Sequence, residues 1–470
     1  MEPGGRCRLC YEMIRIKELV AAVILVNAVT VSAQDFETGF FLDNYLCGYR
    51  INPAFQNDVN IVSALLGNVT LGISGDPGLG NYLFPISGGI VSGFDDRVPA
   101  SKFISGLKPW NSVLEDLNVG LVTVGFWNKG RTAYNTVEIN VRENVWANAP
   151  KDLLALLKDD YQTDDEYDLS NTAYNMSVFV EMAYGYSRSI SDRLKVGGRL
   201  KLLLGLLNGN LDGNNTQVKV IGNESYVTSD ATFRMGSNIV SVGTTDGNLD
   251  LRKIDFGSPT LEVSGIGAAL GISGVGAALD LGVTFEPIEG LVASLAINDL
   301  GGLGWKYNLT GKSSGQADEQ HLLESEGDSI YEFIPTGEDS EFQMLGFSIN
   351  GGVRYTMPFY SGLSAGIFGT YRNGMVSYCN FRLGATITPV KWFSFNANMG
   401  YGTFGPNFGA AFNITSGVFN LYAGLESYIG RMKETFITPL NPSRICPTFG
   451  IIFRFGGKKT IRPVGNPAFE

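Results

Sequence analysis

Histidine and cysteine are scarce in this 470-residue sequence: histidine occurs once, at His321, and cysteine five times. A zinc site or a Ser–His–Asp centre needs histidines or a Cys–His cluster, so the composition predicts that the chain is not an enzyme and holds no metal or cofactor. Charged residues make up only 17% of the chain, the formal net charge is −11, and basic residues are scattered. Nucleic acid is therefore not an expected partner.

The only apolar run with the features of a targeting signal lies at the N-terminus. Arg15 and Lys17 precede an apolar stretch over residues 19–29, and Val31-Ser32-Ala33 resembles a cleavage site before Gln34. This order is typical of a secretory signal peptide over residues 1–33, and Met13 is a plausible true start. A retained membrane anchor is the alternative, although the apolar stretch is short for spanning a bilayer.

Few cysteines remain after such a cleavage. Cys7 and Cys10 would be removed with the signal peptide, which leaves Cys47, Cys379 and Cys446. Three widely spaced cysteines are not typical of a disulfide framework, so free thiols and a single pair both stay open.

No later segment is typical of a transmembrane helix. The most apolar candidate, residues 265–285, contains six glycines, each of which costs about 1 kcal/mol in a helix. The second half of the chain instead alternates with a period of two, as strands do. In residues 393–401, for example, Phe393, Phe395 and Met399 share one face, and polar or small residues share the other.

The alternation favours a membrane barrel over a soluble β-sandwich, which is the alternative. The polar face is rich in Gly, Asn and Ser and carries charges, as a polar lumen would. The apolar face often ends in an aromatic residue, such as Tyr355, Tyr371 or Tyr401, which is typical of an interface girdle. The aromatic-rich final strand, residues 448–455, is the usual signal for the barrel-assembly machinery.

Short turns near residues 191, 287, 360, 389 and 416 set the topology, with longer connections between them. The longer connections are predicted over residues 75–111, 145–171, 210–264, 308–341 and 431–444. We predict an all-β fold: an antiparallel transmembrane β-barrel of about 14 strands, with an N-terminal segment in the lumen. The predicted regions are a plug segment over 34–58, a barrel over 59–457 and a tail over 458–470. The predicted location is the bacterial outer membrane.

Two of the longer connections are acidic, residues 159–168 and 318–341. Solvated loops explain them most simply. A more specific hypothesis is that these loops bind divalent cations that bridge to lipopolysaccharide. The expected partners of the barrel are then the lipid bilayer and lipopolysaccharide. His321 lies in the second loop without an evident orienting group, and we interpret it as a surface histidine.

The face assignment directs ten charged side chains inward, seven of them basic. Glu138 and Arg142 are two of them. The other eight form a predicted lumen charge network: Glu181, Lys195, Arg199, Lys201, Arg354, Arg382, Glu426 and Arg454. The charged residues of the segment over 34–58 are mostly acidic, so this segment could plug a basic lumen. A disordered periplasmic tail is the alternative. Pairing across the turn at Ser191 predicts that Glu181 lies near Arg199 or Lys201.

Three motifs carry a resemblance to known families. They are Asn52-Pro53-Ala54, the glycine-rich segment 276–285 and Asn298-Asp299-Leu300-Gly301. In this order they resemble the superfamily of the long-chain fatty acid outer-membrane transporter. Segments 150–154, 181–186 and 194–201 resemble an uncharacterised family of Bacteroidota outer-membrane proteins, known only as a domain of unknown function. The resemblance implies a barrel of about 14 strands with N-terminal residues in its lumen, and it supplies no functional residues.

Two functions therefore stay open. The first is diffusion of small hydrophobic or amphipathic solutes through a plugged barrel, for which the glycine-rich stretch 261–275 could offer an apolar groove. The second is a structural or secretion-associated anchor in the outer membrane, without transport activity. Solute uptake by liposomes would separate the two.

Overall fold

The protein is described by a computed structural model over residues 36–87, 89–158, 165–221, 224–245, 247–256, 271–315, 333–428, 440 and 443–456. Within these ranges most residues lie in β-strands, and no helix has the length and apolarity needed to cross a membrane. The predicted signal peptide, the tail after residue 457, His321 and the stretch 261–270 lie outside the described residues.

Fourteen strand positions form one antiparallel sheet, which confirms the predicted fold class. Four of the positions are occupied by two segments each. The strands are β1 (Asn60–Ala64 and Val69–Asp76), β2 (Trp110–Trp127), β3 (Ala133–Pro150), β4 (Glu166–Asp168 and Thr172–Ser189), β5 (Leu194–Ile221), β6 (Glu224–Ser237 and Gly274–Ile288), β7 (Leu291–Gly315), β8 (Ile334–Met344 and Ser348–Thr356), β9 (Leu363–Arg372), β10 (Tyr378–Val390), β11 (Phe393–Gly402), β12 (Gly405–Thr415), β13 (Phe419–Tyr428) and β14 (Ser443–Phe455).

The sheet closes on itself because the last strand pairs with the first. Val62 of β1 lies opposite Phe453 of β14 on one side and opposite Val124 of β2 on the other. The upper segment of β1 makes the same two pairings, for example Val69 with Phe449 and with Val119. Closure leaves the barrel wall without a free edge, which is the condition for a sheet to cross a bilayer.

The split strands correct two of the predicted long connections. Residues 224–237 and 274–288 both lie between β5 and β7, and residues 334–344 continue the line of 348–356 beside β7. Much of the expected connections 210–264 and 308–341 is therefore strand. Their polar composition was misleading because exposed strand residues here are polar: Ile334–Met344 is exposed on both faces, whereas Glu224–Ser237 buries one face.

The two faces of the wall differ as the alternation predicts. Large apolar side chains such as Phe395, Leu383 and Met399 are exposed on the outside. Asn396, Arg382 and Ser348 point inward and are buried. An exposed apolar outer belt with a buried polar interior is the inverse of a soluble protein and is typical of a membrane barrel.

The strands are longest on one side of the barrel. β5 has 28 residues and β7 has 25, whereas about 9–11 residues suffice to cross a bilayer. The surplus extends beyond the end opposite the short turns. There, helices Ala100–Ile104 and Lys151–Leu157 and the hairpin of Leu83–Ile86 with Gly89–Ser92 form a small cap around the buried Phe103.

Residues 36–58, here called the plug, lie inside the barrel. The plug contains two short 3₁₀ turns, Glu37–Phe40 and Gly48–Arg50. Its apolar side chains form one buried cluster with inward-facing wall residues: Phe36, Phe40, Phe41, Leu42, Tyr45, Leu46, Cys47, Tyr49 and Ile51 pack with Ile61, Phe368, Ala411, Tyr422 and Ile452. The plug thus supplies most side chains of this hydrophobic cluster.

Candidate functional site: the plugged lumen

Wall glycines make room for the aromatic side chains of the plug. A Cβ on Gly424 would lie 2.2 Å from Phe36, one on Gly352 would lie 2.6 Å from Phe40, and one on Gly384 would lie 2.8 Å from Phe41. These distances are far shorter than van der Waals contact, so a side chain at any of the three positions would displace the plug. Part of the high glycine content of the chain therefore serves the fit between plug and wall.

The Asn52-Pro53-Ala54 motif is the point where the plug meets β6 and β7. The Asn52 side-chain amide donates to the carbonyl oxygens of Val283 (3.0 Å) and Leu295 (3.2 Å), which face each other across the two strands. The side-chain oxygen of Asn52 accepts a hydrogen bond from the backbone N–H of Ala54 at 2.9 Å. One buried amide thus joins the plug to the wall through its N–H donors, and its oxygen holds the plug backbone at Ala54.

Two further glycines allow this contact. A Cβ on Gly282 would lie 2.1 Å from the side-chain oxygen of Asn52, and one on Gly197 would lie 2.2 Å from the carbonyl oxygen of Pro53. The motif around residue 52, the segment 276–285 and the segment 194–201, which are distant in sequence, therefore meet at one place. The third motif joins them, because the Asn298 amide donates to the carbonyl oxygens of Arg50 and Ile51 at 3.1 Å each.

Arg50 makes the ion pair that links this half of the plug to the wall. Its guanidinium lies 2.7 Å from Glu138 and also donates to Asn118 and Asn140. Tyr49 donates its hydroxyl to the same Glu138 carboxylate at 3.0 Å. Glu138 has a second cationic partner, Arg199 of β5, so it is shared between the plug and the wall.

Arg199 begins a buried ionic network on β3–β7. It lies 3.0 Å from Asp280, which in turn lies 2.7 Å from Lys201. Lys201 contacts Asp299 at 2.5 Å, and Asp299 contacts Arg142 at 3.0 Å. Arg142 completes the chain with Glu181 at 2.5 Å. Buried ions are tolerated only when paired, and here four cations, including Arg50, face four carboxylates.

The expected neighbours of Glu181 lie close, but its nearest partner is different. Arg199 and Lys201 lie 3.7 and 3.8 Å from the Glu181 carboxylate. Arg142, on the neighbouring strand β3, lies at 2.5 Å. The prediction considered only pairing across the β4–β5 turn, whereas β4 also pairs with β3, which places Asn140 opposite Glu181 and Arg142 beside it.

Three other residues of the predicted network hold the first half of the plug. Arg382 lies 2.6 Å from Glu37 and 3.5 Å from Glu426, and Glu426 also accepts the Thr38 N–H. Arg354 lies 3.3 Å from Asp43 and donates to the Phe41 carbonyl oxygen. The acidic side chains of the plug are thus paired with basic side chains of the wall.

The remaining two residues take no part in either group. Lys195 and Arg454 have no carboxylate within ion-pair distance in the part of the chain that the structure describes. Arg454 donates instead to the Ser416 carbonyl oxygen at 2.9 Å. Both lie near the short-turn end, where water competes for the charge.

Sequence reasoning missed Asp280 and Asp299. Asp280 is inward by simple alternation, since Leu279 and Leu281 are exposed, but the face of this strand was not assigned. Asp299 lies in a β-bulge: the register shifts between Leu279 and Leu281, and the φ of Asp299 is +62°. The bulge turns both Asn298 and Asp299 inward, which alternation alone would not give. The wall is therefore less basic than predicted.

A small cavity lies above the network, on the side of the long extensions. Its lining combines apolar side chains with amides, a hydroxyl and charges: Leu114, Phe179, Leu303, Leu345 and Met375 with Asp116, Asn144, Ser177, Gln343 and Arg372. The cavity volume is about 30 Å³, enough for about one water molecule. Below it, Phe179 packs against the Arg142 guanidinium at 5.2 Å, so the cavity floor touches the ionic network.

The described thiols are free, and one belongs to the plug. Cys47 and Cys446 are buried, and Cys379 is exposed. Burial raises the pKa of the Cys47 thiol to about 11, so it stays protonated and unreactive at neutral pH. Most of the acidic loops lies outside the described residues; among the residues that are described, no group of three or more potential metal ligands occurs.

The fold and the lumen together define a closed 14-stranded barrel with an internal N-terminal plug. The chain belongs to the DUF5723 family, a family of unknown function, whose model matches residues 53–426. No curated protein is detectably similar in sequence. The predicted membership of an uncharacterised family is confirmed, and its Bacteroidota origin stays a prediction.

Solved barrels show low similarity to this chain. The toluene transporter TbuX of Ralstonia pickettii has a TM-score of 0.48 at 8% identity, with 91% of this chain and 96% of that chain covered. The toluene transporter TodX of Pseudomonas putida has a TM-score of 0.44 at 11% identity, covering 86% and 92%. A FadL homologue of Pseudomonas aeruginosa has a TM-score of 0.40 at 10% identity, covering 86% and 91%.

Proposed function

We propose that this protein is an outer-membrane channel whose plug is a gate, closed in this conformation, and that it passes small hydrophobic or amphipathic solutes. The observation that carries the proposal is that part of the lumen is filled by a separate chain segment, residues 36–58, and not by wall side chains alone. Barrels of about eight strands fill their interior with their own side chains, whereas wider ones leave space. Fourteen strands therefore create a passage that the plug then closes.

Two of the described ion pairs between plug and wall support a gate, because they can open without leaving a buried wall charge unpaired. Glu138 keeps Arg199 when Arg50 leaves, and Arg382 keeps Glu426 when Glu37 leaves. The penalty for leaving an unpaired buried charge on the wall, which usually makes broken ion pairs costly, is thus reduced. A permanent plug would not need a second partner for each of these wall charges.

The solute class rests on the cavity above the network. Apolar side chains with a few convergent polar groups are typical of sites for small amphipathic molecules. The present volume of about 30 Å³ holds no such solute, so entry requires the lining or the plug to move. The apolar stretch 261–275, which falls largely outside the described residues, remains a predicted contributor to the entrance.

The test is to release the plug and measure permeation. The Glu37→Gln/Arg50→Gln variant removes one acid and one base from the plug and leaves Glu138 paired with Arg199 and Arg382 paired with Glu426. Asp95→Asn/Arg97→Gln is the matched control, because it removes an exposed ion pair from the cap at 2.7 Å with the same change in charge. Folding of each variant is checked by heat-modifiable mobility on gels.

We expect low conductance for the unmodified protein and the control in planar bilayers, and a conductance at least about tenfold higher for the plug variant. Liposome swelling should be faster with butyl glucoside than with glucose. A correctly folded plug variant that conducts no better than the control would refute the gate and favour the anchor without transport activity. Equal swelling with both solutes would refute the solute class alone.

A further inference from the structure

Three exposed basic side chains lie together at the short-turn end of the barrel. Lys129 is in the β2–β3 turn, Arg188 is near the end of β4, and Arg193 is in the β4–β5 turn. Within the described ranges, none of the three has a carboxylate at ion-pair distance. Their acidic neighbours are Asp192, next to Arg193 in sequence, and Glu286, whose backbone N–H donates to the Arg193 carbonyl oxygen. The three cations therefore outnumber the neighbouring carboxylates.

Arg188 continues a row of lipid-facing aromatic residues. Tyr184 and Tyr186 are 50% and 45% exposed on the outer face of β4. Arg188 follows Tyr186 by two residues on the same face, opposite the exposed Val196 of β5. A strand rises about 3.3 Å per residue, so Arg188 lies roughly 7 Å beyond the tyrosine. Tyrosines of membrane proteins concentrate at the interface, which places Arg188 at the depth of lipid phosphates.

A second strand of this sector, separated from β4 by β3, repeats this order. Phe126 of β2 is exposed on the outer face, and Lys129 follows it in the turn. An aromatic residue at the interface and a cation just beyond it therefore occur twice within one sector of the wall, on β2–β5. Arginine fits phosphate with two parallel hydrogen bonds, and lysine adds a point charge.

We propose that Lys129, Arg188 and Arg193 form a binding site for the phosphate of anionic phospholipids in the leaflet at the short-turn end. In outer-membrane barrels short turns face the periplasm, so this is the inner, phospholipid leaflet. The continuity of the cations with the lipid-facing aromatic row favours a lipid over an acidic soluble protein. The inference rests on the proposed membrane location but not on channel activity.

The experiment compares lipid binding by Arg188→Gln/Arg193→Gln with that of a matched control. Lys219→Gln/Lys312→Gln removes two exposed cations from the long extensions at the other end of the barrel. Each folded protein is reconstituted in nanodiscs of phosphatidylcholine with increasing phosphatidylglycerol. Retained lipid is then counted by native mass spectrometry, and the melting temperature is followed.

We expect the unmodified protein and the control to retain phosphatidylglycerol and to gain stability with it. The Arg188/Arg193 variant should bind it roughly 25-fold more weakly, about fivefold for each cation near an anionic surface. Equal retention by all three proteins would overturn the lipid site. Retention lost equally in the control would also overturn it, because that result indicates a nonspecific charge effect.

The result is distinguishable from that of the gating experiment. Normal phosphatidylglycerol binding by a barrel without conductance would keep the lipid site and reject the channel. A gated channel with no preference for phosphatidylglycerol would do the reverse. Capture of an acidic periplasmic protein by the unmodified protein in phosphatidylcholine alone, lost in the Arg188/Arg193 variant, would replace the lipid with a protein partner.

Discussion

At the residue scale, the fit between plug and wall depends on glycines, which have no side chain to occupy the space that the plug needs. Gly197 and Gly282 leave the space in which Asn52 and Pro53 reach the backbone of β6 and β7. Asn52 then satisfies two wall carbonyl oxygens with one amide. The motif around residue 52 is thus explained by a contact that requires glycine on two neighbouring strands.

Gly197→Ala is expected to displace the plug. The new methyl group would lie 2.2 Å from the Pro53 carbonyl oxygen, a backbone atom, and such overpacking costs about 1–3 kcal/mol. Gly209→Ala, in the same strand, is the control, because a Cβ there has no atom within 4 Å. Maleimide labelling of Cys47 at pH 7.5 measures the displacement, with the exposed Cys379 replaced by serine. Labelling as slow in Gly197→Ala as in Gly209→Ala would contradict the proposed contact.

Glu181 is expected to couple more strongly to Arg142 than to Arg199. The carboxylate lies 2.5 Å from Arg142 and 3.7 Å from Arg199, and coupling between buried charges weakens with distance. Double-mutant cycles with Glu181→Gln, Arg142→Gln and Arg199→Gln, with unfolding free energy as readout, measure this. We expect about 1–3 kcal/mol for the first pair. Additive effects within about 0.5 kcal/mol for both pairs would show that the network is solvated.

At the scale of elements, a bulge in β7 builds the ionic network. A regular strand would direct either Asn298 or Asp299 inward, but not both. Because of the bulge, in which Asp299 has a φ of +62°, Asn298 contacts the plug. Asp299 contacts Lys201 and Arg142. The backbone irregularity therefore joins the plug contact to the wall charges.

The two faces of β11 are expected to respond differently to substitution. Phe395 is 40% exposed on the outer face, so Phe395→Arg should cost about 2–4 kcal/mol near the bilayer midplane. Asn396 is inward, fully buried, and donates to the Ala385 carbonyl oxygen and to Thr386. In an open lumen its replacement would cost little, but in this packed lumen Asn396→Ala should cost about 1–3 kcal/mol.

Unfolding in urea from lipid vesicles and from a nonionic detergent provides the measurement. The cost of Phe395→Arg should shrink in detergent, whose micelle adapts to a charge, whereas the cost of Asn396→Ala should persist. A Phe395→Arg cost that is the same in aqueous buffer without any amphiphile would point to a soluble sandwich.

At the scale of the whole molecule, the barrel separates an apolar belt from a long polar extension on one side. The extension belongs chiefly to β5–β8. This division predicts an outer-membrane protein with its extension outside the cell and its short turns in the periplasm.

We expect the mature protein to begin at Gln34 and to sediment with the outer membrane. N-terminal sequencing after cell fractionation measures both, and proteolysis of whole cells should cut within the extension and spare the short turns. Recovery in the soluble periplasmic fraction would contradict the membrane assignment, and cleavage at the short turns would reverse the topology.

The sequence by itself determined the approximate number of strands, and the two faces of the regular strands that cross the barrel wall. Alternation needs only the identity of neighbouring residues, because side chains of a strand point to opposite sides in turn. The outward position of Phe395 and the inward position of Arg382 and Glu181 follow from that rule alone. The pairing of the plug's acids with wall bases was also foreseeable in sign.

Only the tertiary structure decided which charges meet. Arg142 reaches Glu181 across β3 and β4, and Asp299 joins them from β7 through a bulge. Both contacts depend on which strands lie side by side around a closed wall and on a local change of register. Neither property can be predicted from the alternation of a single strand, because a barrel places residues more than 100 positions apart at contact distance.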